Sequence, residues 1–205
     1  MSPVRAPKQS RSRATYDAIL ESATRILVES GWQAVNTNAV AERAGVSIGS
    51  LYEYFPNKEA IIDAIAMRHI NEGKELFSRT AETLPSMRTT HRLVEALVSA
   101  IVSVHQGSPD LHRKLSSEVP LSVEVKQEVQ QLRQSILTAI AALLSTEVNN
   151  PGLVAQILYD SSDAVVHKWY VEESGKDVEN EVLKNQLILM LNAYLETLKL
   201  NRAEV

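Results

Sequence analysis

The 205-residue chain is 44% apolar and 22% charged, with 7 glycines, 7 prolines and an abundance of helix formers, the balance of an ordinary globular protein. It has no cysteine, which excludes disulfides, thiolate nucleophiles and cysteine-ligated metals and fits a reducing, cytoplasmic setting. The net charge of -4 hides an asymmetry: residues 1–58 hold seven basic and five acidic side chains (+2), residues 59–205 fourteen and twenty (-6). Arg5, Lys8, Arg11 and Arg13 occupy the first 13 positions with no acid among them, so a basic arm opens a weakly basic head on an acidic body. That pattern suits a polyanion-binding module joined to a domain with another task, although a solvated tail collects charge in the same way. No apolar segment follows the basic start as a secretory signal requires, and no run of about 18 apolar residues offers a membrane span.

The helical period recurs along the whole chain. A first helix is expected over 13–30, with Ile19, Ala23, Ile26 and Leu27 on one stripe and Gly31 as its stop. Asn36 is a good N-cap for a helix over 37–44, Gly45 ends it, and Ser47 caps another over 48–55. Pro56 stops that one, and Asn57 caps a long helix over 58–84. Further helices are expected at 90–105, 110–118 and along the stripe Val125, Val129, Leu132, Ile136, Ile140 and Leu143. After the "NNPG" break come two more, at 152–173 and 178–201. No strand-like alternation or internal repeat interrupts them, so the expected class is all-α with about nine helices.

"AGVSIGSLYEYF", residues 44–55, has the spacing of a helix-turn-helix, with Ala41 at the helix crossing and Gly45 where a residue without Cβ is cheapest. Val40, Val46 and Leu51 fall on the inward side, and Phe55 belongs with them. Gly49 costs about 1 kcal/mol against alanine inside a helix, a cost that makes sense where the backbone must approach base edges or phosphates. Tyr52 and Tyr54 can pack their rings on the module while their hydroxyls reach phosphate oxygens, which sets register rather than base choice. Taken alone they are equally ordinary half-buried aromatics. Lys58 adds charge to the same edge, and the amides of Thr37 and Ser47 at two helix N-termini are further anion donors. Arg11 and Arg13 can serve as an arm in the adjacent minor groove, or as a tail adding only salt-dependent affinity.

The stretch "NTNAVAERAGVSIGSLYEYFPNKEAIIDAI", preceded by "GWQAV", closely resembles the DNA-binding domain of the tetracycline-repressor family over residues 13–65. The resemblance implies a homodimeric, ligand-responsive regulator, most often a repressor, with a three-helix head and a helical effector and dimer domain. It adds Asn36, Ser50 and Ile48 to the contact set: Asn36 stands where threonine is common, and Ile48 where the family usually has a lysine or similar polar residue. An alkyl side chain at 48 offers only apolar contact, such as with a thymine methyl. The expected division is an arm over 1–12, a DNA-binding domain over 13–58 and an effector and dimerisation domain over 59–205.

In the second domain Met67, His69, Phe77, Ile101, His105, Ile136 and Trp169 are candidates to line a largely apolar effector cavity, against the duller reading that such stripes are core. The last helix is apolar on more than one face, so Leu187, Leu191, Tyr194 and Leu198 are expected at a dimer interface with Ala155, Ser161 and Ser162 of the helix before it. Its partners are therefore a palindromic operator, a small effector and a second copy. The five histidines lack metal-ligand spacing, and no cofactor motif is present. A helical enzyme is disfavoured by the absence of a phosphate loop, a G-x-S-x-G or a catalytic cluster; an architectural DNA-binding protein without effector is the remaining alternative.

Overall fold

The computed structural model describes residues 10–83, 89–172 and 180–203. Nine α-helices make up the described chain, which contains no strand: α1 (Ser10–Ser30), α2 (Thr37–Ala44), α3 (Ile48–Tyr54), α4 (Lys58–Thr83), α5 (Thr90–Gly107), α6 (Pro109–Ser117), α7 (Val123–Leu144), α8 (Pro151–His167) and α9 (Asn180–Ala203). A 3-10 turn at Trp32–Ala34 precedes α2, and a π-helical turn at Lys168–Glu172 follows α8. Among the described residues no helix is long and apolar enough to cross a membrane. Two compact units result. The first runs through Ile70 and includes Asp110–Glu128; the second is Asn71–Pro109 with the chain from Val129 onward.

In the first unit α1 buries Ile19, Leu20, Ala23, Ile26 and Leu27 on one stripe, and ends where Gly31 turns to φ 79° and its N–H reaches the Leu27 carbonyl at 3.0 Å. Asn36 caps α2 by accepting the Ala39 N–H at 2.9 Å, and Gly45, left-handed at φ 67°, closes its far end. Ser47 caps α3 by accepting from the Ser50 N–H at 3.0 Å, and Asn57 accepts from the Ala60 N–H at 2.9 Å to start α4. Seven residues cannot hold a helix alone. Leu51 and Phe55 are both wholly buried, as are Val35, Val40, Ile61, Ile62 and Ile65 of the same unit. Two such side chains contribute roughly 3–6 kcal/mol. The Tyr16 ring stacks on Phe55 at 5.0 Å between centroids, and the Asp63 carboxylate accepts the Ser122 N–H at 3.1 Å.

In the second unit α5 is the central element. Leu93, Val94, Leu97, Val98, Ile101, Val102 and His105 form its buried stripe, packed chiefly against α8 and α9. Leu137, Ile140 and Leu144 of α7, Val154, Ala155, Leu158 and Val166 of α8, and Leu187, Ile188, Leu191 and Leu195 of α9 complete that core. α8 begins at Asn150, a left-handed non-glycine residue at φ 59°, followed by Pro151 in the first turn. Asparagine tolerates that region and caps the helix, so the break has a defined geometry.

Two boundaries differ from expectation by three residues or more. α1 starts three residues earlier, at Ser10, because Ser10–Arg13 contains nothing that breaks a helix. The helix expected over 152–173 yields to the π turn after His167.

Candidate nucleic-acid interface

The outer face of α3 is open. Ile48 is 39% and Tyr52 52% exposed, and Gly49 between them is exposed too. A Cβ built on Gly49 meets only the Ser47 Oγ, at 3.8 Å, so no neighbour within the fold demands glycine there. The Tyr52 hydroxyl lies 3.1 Å from the Thr37 Oγ, bringing together hydroxyls from the second turn of α3 and the first turn of α2. Ser47 and Ser50 are joined by a hydroxyl bond of 2.9 Å beside the capping bond.

Other residues expected at this face are engaged inside the chain. Tyr54 is half-buried, its hydroxyl 2.9 Å from the Ser12 Oγ and its ring edge-on to Tyr16. The Lys58 ammonium sits 3.9 Å over the Trp32 ring, a cation–π contact. Asn36 accepts from Ala39 and donates from Nδ2 to the Ala34 carbonyl at 3.2 Å, so both ends of its amide serve the turn. Arg13 is exposed on the first turns of α1, not on a loose arm. The rest of the arm expected over 1–12, apart from the helical backbone from Ser10, lies outside the described residues, as does the side chain of Arg11.

The residues expected to line an effector cavity divide between the units. Met67 and His69 belong to the first, where His69 Nε2 and His112 Nδ1 lie 3.0 Å apart. Phe77, Ile101, His105, Ile136 and Trp169 belong to the second. There Ile101 and His105 are buried on α5, while Phe77, Ile136 and Trp169 are half-buried. The His105 Nδ1 is 2.9 Å from the Ile101 carbonyl, and its Nε2 lies 3.8 Å from Asp163 Oδ1. Burial holds the His105 imidazole below its ordinary pKa of 6.5, against the Ile101 bond and Asp163, and it raises the Asp163 carboxyl above its usual 3.8. Tyr159, also desolvated, is pushed up to about 12. A groove of about 670 Å³ runs along α7 past Gln131, Gln134, Ser135, Thr138, Ala139 and Ala142, and none of the expected residues lines it.

Four of the seven residues expected at a dimer interface lie inside this chain's own core. Ala155, Ser162, Leu187 and Leu191 are buried in this chain's own core, and Ser162 donates to the Leu158 carbonyl at 2.7 Å. Positions 187, 188, 191 and 195 form the helical stripe that packs into this core against α5. Ser161, Tyr194 and Leu198 are half-buried at its margin. Among the described residues, the large apolar side chains these helices leave exposed are Leu153, Val182, Leu189 and Met190.

The profile of the bacterial regulatory proteins, tetR family, matches residues 19–65, and that of the tetracyclin repressor-like C-terminal domain matches residues 89–195. The chain belongs to the tetracycline-repressor family. Among curated relatives, the fatty acid metabolism regulator protein of Bacillus subtilis is 22% identical over 92% of this chain and 95% of its own length. The transcriptional regulator EthR of Mycolicibacterium smegmatis is 29% identical over 71% of this chain and 69% of its own. Among solved structures, FadR of Bacillus subtilis in complex with stearoyl-CoA aligns with a TM-score of 0.66 at 20% identity, covering 86% of this chain and 97% of that one. GusR of Salmonella enterica aligns at 0.62 and 20% identity over 93% and 100%. Like other tetracycline-repressor family proteins, this chain is a ligand-responsive, DNA-binding transcriptional regulator that acts as a dimer, and not an enzyme.

The fold of this regulator also makes contacts that sequence spacing did not disclose. Arg43 of α2 clasps Glu29 of α1 through two bonds of 2.6 and 2.7 Å, an exposed bidentate pair bracing the head. The Glu29 carboxyl is lowered and the Arg43 guanidinium raised by that bond. Fourteen residues separate the partners, so no periodic pattern marks them.

Proposed function

We propose that two copies of this chain bind a palindromic operator, each presenting α3 to a major groove, and that a largely apolar effector held in the C-terminal unit releases them. The DNA-binding part spans residues 13–58 with residues 1–12 as its arm, residues 59–205 bind the effector and the second copy, and the protein works in the cytoplasm. The observation that carries the reading is the two-sidedness of α3, with Leu51 and Phe55 wholly buried behind and Ile48, Gly49 and Tyr52 exposed in front. A helix braced so firmly can hold its outer face at a fixed distance from a duplex. Ile48 and Gly49 approach base edges. Tyr52, Thr37 and Ser50 contact phosphates, with Asn36, Ser47, Tyr54, Lys58, Arg11 and Arg13 supporting register.

The full-length likeness to a fatty acid metabolism regulator, and the shared fold with a FadR solved with stearoyl-CoA, point to a fatty acyl thioester as effector. Release needs the effector to favour one state by about 1–3 kcal/mol, or roughly 5- to 150-fold in operator affinity. Leu189 and Met190 of α9, with Leu153 of α8, supply apolar surface for the second copy.

Fluorescence anisotropy with duplexes from the DNA flanking the coding region tests the reading, across a salt series and with added stearoyl-CoA. Specific binding to a palindrome that the acyl-CoA reverses supports it. Binding that ignores sequence, or an operator complex indifferent to acyl-CoA, removes the corresponding half. Leu189→Glu with Met190→Glu is expected to give monomers by light scattering and to abolish operator binding.

A further inference from the structure

The π-helical turn Lys168–Glu172 packs on α5 and is tied to it on either side of Trp169. Before it, the His167 ring that ends α8 stands nearly perpendicular to the His105 ring, at 5.7 Å between centroids. After it, the Tyr170 hydroxyl accepts from Gln106 Nε2 at 3.0 Å, and the Tyr170 ring packs against the aliphatic core. His105 and Gln106 are adjacent near the C-terminal end of α5, so both ties reach the same place. Trp169 is thus held between two anchored neighbours. Its side chain is half-buried, and its indole Nε1 is buried with no hydrogen-bond partner among the described residues.

An indole N–H donates and does nothing else, so only an acceptor can satisfy it. Buried indoles nearly always find one, because a donor stripped of water and left unpaired destabilises the fold. The position is a π turn, a feature that recurs at functional sites because one extra residue re-aims the side chains around it. A donor held in place by its neighbours and left open by the chain is prepared for an acceptor that arrives from outside.

We propose that the Trp169 N–H donates to the effector, and that the acceptor is the uncharged carbonyl oxygen of a fatty acyl thioester. This rests on the acyl-effector reading above and adds the group that recognises the acyl oxygen. The charge of the pair decides between acceptors. A carboxylate would have to leave its water for a single neutral N–H, and a buried anion with so little compensation costs far more than it regains. A neutral carbonyl gives up a bond to water and recovers one from the indole. The remainder of the indole is apolar surface suited to the methylenes beside that carbonyl. The protein therefore answers to the activated acyl chain and not to the free acid.

The test reads the indole proton itself, on the full-length chain. The sequence holds two tryptophans, so labelling with ¹⁵N-tryptophan gives two indole cross-peaks, and Trp32→Phe assigns them. Three probes are compared: stearoyl-CoA, its S-octadecyl thioether, which keeps chain and nucleotide but lacks the carbonyl oxygen, and free stearate. Stearoyl-CoA is expected to move the Trp169 N–H downfield and slow its exchange with water, and the other two to do neither. By calorimetry, Trp169→Phe should weaken stearoyl-CoA binding about tenfold and leave thioether binding within about twofold. The thioether arm separates the lost hydrogen bond from lost packing, and the wild-type spectrum needs no variant to fold. An equal downfield shift with the thioether or with stearate overturns the proposal. So does stearoyl-CoA binding that leaves the Trp169 proton unmoved, as when an ordered water already satisfies it; in that case the acyl-effector reading stands. Failure of stearoyl-CoA to bind the wild-type chain refutes that reading and this inference together.

Discussion

Gly49→Ala separates what the fold needs from what the duplex needs. Glycine in a helix costs about 0.5–1 kcal/mol relative to alanine, the smaller figure applying in a first turn, where Gly49 sits. The added methyl meets only the Ser47 Oγ at 3.8 Å, an ordinary contact, so nothing in the fold opposes the gain. The variant is therefore expected to be more stable by about 0.5 kcal/mol, a rise in Tm of about 1–2 °C for a chain of this size. On DNA the same methyl projects from the exposed face of α3. Forcing one carbon into a close-packed contact costs about 1–3 kcal/mol, so operator affinity should fall roughly 5- to 150-fold. Differential scanning calorimetry and anisotropy on one preparation read both quantities. Gly107→Ala, where the built Cβ meets nothing within 4 Å, is the control that should leave DNA affinity alone. An unchanged operator affinity for Gly49→Ala would mean that α3 does not approach the duplex closely, and a lower Tm would mean the local packing is misread.

Tyr52→Phe removes a hydroxyl whose fold partner, the Thr37 Oγ, is exposed, so stability should move by less than about 0.5 kcal/mol. Affinity for every duplex should drop at least about tenfold, the worth of a bond to a charged phosphate. Ile48→Ala should instead change which base is preferred, and a binding survey over randomised duplexes distinguishes the two; exchanged outcomes refute the assigned roles. Gly45→Ala should lower Tm by about 2–8 °C, because the built Cβ touches nothing and the cost is the left-handed backbone alone, about 1–2 kcal/mol. In acid, the folded state binds its His105 proton below the ordinary pKa of 6.5, so the stability of the neutral ring is full above that value and lost as pH falls beneath it. Asp163 acts oppositely: its raised pKa makes ionisation cost stability, relieved as pH falls through the raised value. Melts below about pH 6.5 should show the loss, and His105→Gln should flatten it.

Local chemistry made the head legible. The caps at Asn36, Ser47 and Asn57 and the left-handed Gly45 are written in single residues, and the structure places α2 where they mark it. Exposure of Ile48, Gly49 and Tyr52 likewise followed from the period of α3. What remained hidden depends on residues far apart in the chain. A helix apolar most of the way round has two candidate inner faces. Packing against α5, not composition, turned Leu187 and Leu191 inward and left Leu189 and Met190 outside. The same holds for the Arg43–Glu29 clasp, and for Tyr54 and Lys58, whose partners Ser12 and Trp32 come from other elements. The π turn after His167 interrupts a stretch whose residue types suit an ordinary helix.

Within the folded head Arg25 lies against Glu21, Arg43 against Glu29 and Lys58 over an indole ring. Among the described residues these three cations are thus already engaged within the fold and offer less to a polyelectrolyte approaching from afar. Each neutralised phosphate steepens the response of binding to ionic strength by about 0.9 in logarithmic slope, so a sparse set makes that slope shallow. Occupancy of the operator should then track shape and hydrogen bonding more than the potassium level of the cell, and a swing in osmolarity should leave the regulated promoter largely undisturbed.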